Sequence, residues 1–103
     1  MSTTNNPRTE SEAFSIPADH PALPGHFPQA PVVPGVMLLD RVVAAIQRRR
    51  NQPIIGLPQV KFLQPLLPDQ TARLSIVDSG QNVRFSITCG DTTIASGVVE
   101  VAR

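Results

Sequence analysis

Apolar residues recur through "VMLLDRVVAAIQRRR", Val36 to Arg50, without strict alternation. The content of Leu, Ala, Met, Gln and Arg, and a length beyond that of an ordinary strand, predict a helix. Pro34-Gly35 precede it, and "NQP", Asn51 to Pro53, ends it, with Asn51 as the cap. Beyond Pro53 the period changes to two. Ile54 to Pro68 reads as an extended strand with Gly56 and Pro58 as irregularities, followed by strands over Thr71–Asp78, Asn82–Cys89 and Thr92–Ala102. "SGQ" and "GD" mark the tight turns between them. Val83, Phe85, Ile87 and Cys89 share one face of their strand, opposite Arg84, Ser86 and Thr88. Phe14 and Ile16, either side of Ser15, predict a short strand over Ala13–Ile16. The expected architecture is α+β: one helix followed by an antiparallel meander of four long strands. One helix leaves the outer strands of such a sheet open, and edge-to-edge pairing with a second copy is the expected remedy.

Two stretches lack either period. Met1 to Glu12 is polar and rich in small residues, which predicts a mobile tail ahead of a single domain over residues 13–103. "PALPGHFPQAPVVPGV", Pro21 to Val36, holds five prolines and two glycines around His26. That density excludes a regular helix or a central strand, so an ordered irregular segment is expected.

A chain of 103 residues is one domain's worth, and a domain this small gains from oligomerisation. The formal net charge of +1 supplies no field toward nucleic acid or a membrane, and four Phe without Trp or Tyr argue against a base-stacking surface. The single cysteine, Cys89, excludes an internal disulfide and reads as a small core residue. With no signal-like or membrane-length apolar segment, a cytoplasmic protein is expected.

Three residues carry candidate chemistry. Asp40 has Val36 and Met37 behind it and Val43 and Ala44 ahead of it at helical spacing, so it is expected to project from an apolar stripe. A carboxyl group buried there is either hydrogen-bonded to an amide or arginine, or is an acid with a raised pKa. His26 is either a surface loop residue or an imidazole held in place by a proline-stiffened backbone. Gly35 stands at the helix start, where amides are unsatisfied donors and a ligand oxygen can approach closely. Together the three suit proton abstraction beside a carbonyl, with an acid to assist a leaving group. His20 lacks an equivalent setting and reads as structural or exposed.

"GHFPQAPVVPGVMLLD", Gly25 to Asp40, resembles the signature of the 3-hydroxyacyl-acyl carrier protein dehydratases of the FabA/FabZ type. That pattern runs Gly-His-Phe-Pro-Gly, a proline-containing spacer, Pro-Gly-Val and a helix carboxylate, with the same spacing from histidine to carboxylate. "VKFLQPLLPDQ", Val60 to Gln70, is similar to a second motif of that family. The resemblance implies a hotdog fold, a long central helix wrapped by an antiparallel sheet. It also implies a homodimer in which the histidine of one subunit meets the acid of the other. It assigns His26 as general base at C2 of a 3-hydroxyacyl thioester and Asp40 of the other chain as acid for the departing hydroxyl. The amide of Gly35, with that of Val36, polarises the thioester carbonyl, and Phe27, Met37 and Leu38 line an apolar tunnel. No metal or redox cofactor is implied. The acyl group is expected on the phosphopantetheine arm of an acyl carrier protein.

Gln29 departs from the family pattern, which has glycine there, and Asp40 follows the FabA branch rather than the glutamate of FabZ. The chain is also short for the family, and short stand-alone members resemble dehydratases of aryl polyene pathways. Other readings are a different thioester enzyme on the same fold, an enoyl hydratase or thioesterase, or a non-catalytic acyl-binding subunit. Arg48, Arg49 and Arg50 either compensate the helix C-terminus or meet the acidic carrier protein.

Overall fold

The computed structural model describes residues 9–20 and 32–102. Its elements are, in order, β1 (Thr9–Phe14), α1 (Gly35–Arg50), β2 (Ile54–Phe62), β3 (Ala72–Ser79), β4 (Asn82–Cys89) and β5 (Thr92–Val101). The five strands form one antiparallel sheet in the order β1-β3-β4-β5-β2. α1 ends as its sequence predicts. Asn51 turns into the left-handed region at φ 52°, and its N–H donates to the Gln47 carbonyl at 3.1 Å.

Three expectations need correction. The meander comprises β3, β4 and β5 alone, because β2 crosses to the far edge and pairs with β5. The reason lies in the segment after Phe62, where Pro65 and Pro68 end the strand and no tight turn toward β3 can form. Leu63 and Gln64 instead donate to the Ile94 carbonyl at 2.8 and 3.2 Å, which holds the chain beside β5. Extended structure therefore stops at Phe62 rather than at Pro68. The anticipated irregularity is present, with register shifts on both sides of Gly56.

The third correction concerns the N-terminus. β1 starts at Thr9, so residues 9–12, expected in the tail, are a strand, and residues 1–8 lie outside the described ones. Composition misled here because β1 is polar for a reason. Glu10, Glu12 and Phe14 pair with Ile76, Leu74 and Ala72, all buried positions of β3. Alternation thus puts the two carboxylates on the core-facing side of an edge strand, where they meet arginines of α1. Arg48 reaches Glu12 at 2.8 Å, and Arg49 pairs with Glu10 and, at 3.3 Å, with Glu12.

The core lies between α1 and the sheet. Leu38, Val42, Ala45 and Ile46 supply the helix side, and Leu74, Val83, Phe85, Ile87 and Val99 are among the strand residues beneath them. The expected face of β4 is therefore the buried one, with Cys89 partly buried against the same cluster. Arg50 fastens the helix end to the β3–β4 turn, donating to Asp78 Oδ1 at 2.6 Å and to the Gly80 carbonyl at 2.9 Å.

One glycine sets how closely the strands approach. Gly97 on β5 lies between Val60 of β2 and Phe85 of β4. A Cβ there would run into the Gln59 carbonyl oxygen and stand 2.8 Å from the Phe85 ring. Gly97→Ala is expected to cost about 1–3 kcal/mol, the usual range for overpacking. Urea denaturation checks it, and an unchanged midpoint would contradict the close approach.

Candidate active site

α1 is apolar on two sides, and the sheet covers only one. The buried face holds Leu38, Val42, Ala45 and Ile46, while Val36, Asp40 and Ala44 are exposed and Met37 and Val43 half-buried. The apolar stripe expected around Asp40 exists, yet within the single chain it faces outward. Burial of Asp40 is thus corrected: its face is turned away from the sheet, because the 3.6-residue period assigns the contact to positions 38, 42, 45 and 46. Leu38 is corrected with it. At 3% exposure it belongs to the core, whereas its neighbour Met37 lines an open cleft.

That cleft has a volume of about 410 Å³. Met37, Asp40, Arg41 and Arg48 line it from the helix, and Ile16 and His20 from the segment after β1. Arg41 stacks over the Phe14 ring, 5.0 Å from its centroid. His20, which the sequence offered as merely structural or exposed, therefore shares a cavity with Asp40. Nineteen positions, five of them prolines, separate the two in sequence, so no spacing pattern connects them.

Among the described residues, no side chain caps the first turn of the helix. Pro34 occupies the cap position without a side-chain hydrogen bond, and the first turn carries no acidic residue. The Met37 N–H donates to the Pro34 carbonyl at 3.0 Å. Gly35 lies against a neighbour missed from sequence: a Cβ there would stand 2.8 Å from the Phe62 ring, itself half exposed. A side chain at this position would therefore require the Phe62 ring to shift, whatever approaches the amide. Val36 is 64% exposed beside it.

His26, Phe27 and Gln29 lie outside the described residues. The segments flanking 21–31 are nonetheless anchored, and both on one loop, that between β2 and β3. Asp69 donates its N–H to the Ile16 carbonyl at 2.8 Å and accepts from the Ala18 N–H at 3.2 Å. Three residues earlier, the Leu66 carbonyl accepts from the Val33 N–H at 2.8 Å. Asp69 takes a positive φ of 68° to make this turn.

The three arginines at the helix end are engaged within the chain, Arg48 and Arg49 with β1 and Arg50 with the β3–β4 turn. This agrees with the structural alternative for them and extends it, since they bind other elements as well as compensating a helix end. No described helix is long and apolar enough to cross a membrane.

A family model for ApeI-like dehydratases, described as ApeI dehydratase, matches residues 2–98, and the chain belongs to that family. The 3-hydroxyacyl-acyl carrier protein dehydratase FabZ of Bradyrhizobium diazoefficiens is 26% identical over 99 residues, covering 85% of this chain and 65% of the relative. The chain thus spans just under two thirds of that relative's length. Among solved structures, the dehydratase heterocomplex ApeI:P from Xenorhabdus doucetiae has a TM-score of 0.83 at 24% identity, covering 97% of this chain and 92% of the other. A mutant of the fluoroacetyl-CoA-specific thioesterase FlK has a TM-score of 0.62 at 19% identity, covering 94% of this chain and 92% of the other. The fold is the hotdog fold, shared by dehydratases and thioesterases alike.

The two adjacent helix residues are expected to respond differently to truncation. Leu38→Ala should lose about 2–5 kcal/mol of stability, as core leucines do, and Met37→Ala less than half as much. Denaturant titration of both variants checks which of the pair belongs to the core, and equal losses would contradict the assignment.

Proposed function

We propose that this chain dehydrates 3-hydroxyacyl thioesters to trans-2-enoyl thioesters. The observation that carries the reading is the placement of Asp40: exposed, beside a cleft, on an apolar helix face that the chain's own sheet leaves uncovered. The helix start at Gly35 lies five residues earlier, a rise of about 7.5 Å along the axis. Membership in the dehydratase family supports this choice of reaction.

In the proposed mechanism the thioester carbonyl accepts hydrogen bonds from the amides of Gly35 and Val36. Their orientation at a helix N-terminus stabilises the negative charge that develops on the oxygen. His26 removes the proton from C2, and Asp40 protonates the hydroxyl leaving C3, which departs as water. The electron pair of the C2–H bond becomes the C2–C3 π bond, so atoms and charge balance without a cofactor.

Asp40 and His26 come from different copies in this proposal. A second copy would cover the outer side of α1, and β2, an edge strand with Ile55 and Leu57 exposed, supplies a matching apolar border. The proposed assembly is therefore a homodimer with two shared sites. The proposed carrier is an acyl carrier protein presenting the acyl group on its phosphopantetheine arm, in fatty-acid or polyene-type biosynthesis. Phe27 and Met37 are the proposed apolar lining near the acyl chain.

Incubation with a 3-hydroxyacyl thioester should yield the conjugated enoyl product, detected by its ultraviolet absorbance. His26→Ala and Asp40→Asn should each lower turnover by about 10²-fold or more, the scale of general acid–base catalysis. Full activity in both folded variants, or free acid and thiol as the products, would overturn the reading.

A further inference from the structure

The Asp40 cleft has one wall that does not belong to the helix, and the way that wall is held has a consequence for binding. Ile16 and His20 form it, on the stretch between β1 and residue 20. At its far end Asp69 clamps the stretch through the Ile16 carbonyl and the Ala18 N–H. The His20 N–H closes a turn onto the Pro17 carbonyl at 3.0 Å. At its near end the stretch hangs from β1, which among the described residues is an edge strand paired only with β3.

β1 is weakly held by apolar contact. Of its three residues on the core-facing side only Phe14 enters the core, at 6% exposure. The other two, Glu10 and Glu12, are the carboxylates paired to Arg48 and Arg49. Glu12 is the shared partner: its Oε1 accepts from Arg48 at 2.8 Å and from Arg49 at 3.3 Å. Arg48 is itself a lining residue of the cleft. Glu12 thus ties the root of the wall to the helix alongside Glu10, and it alone of the two pairs with the cleft-lining Arg48. These groups are partly exposed, with side-chain exposures of 25% for Glu12, 26% for Arg49 and 59% for Arg48. Their attraction is accordingly open to screening by salt.

We propose that Glu12 is a positioning residue of the dehydration site: by pairing with Arg48 and Arg49 it holds the Ile16–His20 wall over the Asp40 cleft, and thioester binding depends on that pairing. The inference rests on the proposed function for its substrate and on the described geometry for its mechanics. Glu12 touches no reacting atom, so its loss acts on binding rather than on the chemical step.

The test uses the full chain, its Glu12→Gln variant and its Glu12→Asp variant, which keeps the charge. The probe is a 3-hydroxyacyl thioester of N-acetylcysteamine, which is uncharged, so salt cannot act through the substrate. Glu12→Gln should raise KM about threefold, the scale of a partly exposed ion-pair network, with kcat within about twofold of wild type. Raising salt from low to high should increase the wild-type KM by a similar factor, act clearly less on Glu12→Gln, where only the Glu10–Arg49 pair is left, and still act on Glu12→Asp. Amide hydrogen exchange without substrate should quicken at Ala18, Asp19 and His20 in Glu12→Gln. Unchanged exchange there overturns the proposal, as does quicker exchange with an unchanged KM. If the wild-type chain turns over no 3-hydroxyacyl thioester, the dehydratase reading falls, and the exchange comparison still decides whether Glu12 holds the wall.

Discussion

A single helix can lay only one side against a sheet, and in this chain both sides of the helix are apolar. Leu38, Val42, Ala45 and Ile46 satisfy the sheet, which leaves Val36, Asp40 and Ala44 facing outward. The proposed site and the proposed second copy both answer that mismatch. A carboxylate on a solvated polar face would be ordinary. On an apolar face that the chain's own sheet leaves uncovered, it stands out.

The loop between β2 and β3 gives this arrangement its rigidity. Leu66, fully buried, receives Val33 just ahead of the helix, and Asp69 receives the stretch that ends at His20. The described residues on either side of residues 21–31 are therefore anchored at two positions of one loop, Leu66 and Asp69. The same prolines that end β2 make the loop, force β2 across to β5 and break the expected meander.

Periodicity made the helix, the three central strands and the buried face of β4 legible, since each buries one face along its whole length. Local chemistry made the Asn51 cap legible. What stayed hidden depended on distant contacts. β1 looks like tail because its inward positions are glutamates, and only Arg48 and Arg49, more than thirty residues later, make those charges tolerable there. The pairing of β2 depends on where a loop crosses rather than on its own alternation. At the proposed site, helical spacing made the apolar surroundings of Asp40 legible, and the place after Pro34 put Gly35 at the helix start. Leu38, which the resemblance implies as tunnel lining, is buried against the sheet, because spacing defines apolar faces without saying which one meets the sheet. His20 and Phe62 were missed, because three-dimensional proximity alone joins them to Asp40 and Gly35.

The central claim is that Asp40 works with a histidine from a second copy. Complementation between two disabled chains tests it most directly. His26→Ala and Asp40→Asn chains, each inactive alone, are refolded together and assayed for dehydration. Random pairing in a two-fold dimer makes half the assemblies mixed, each with one intact site of two, so the account predicts recovery of about a quarter of wild-type activity. No recovery, with mixed dimers present, would contradict it.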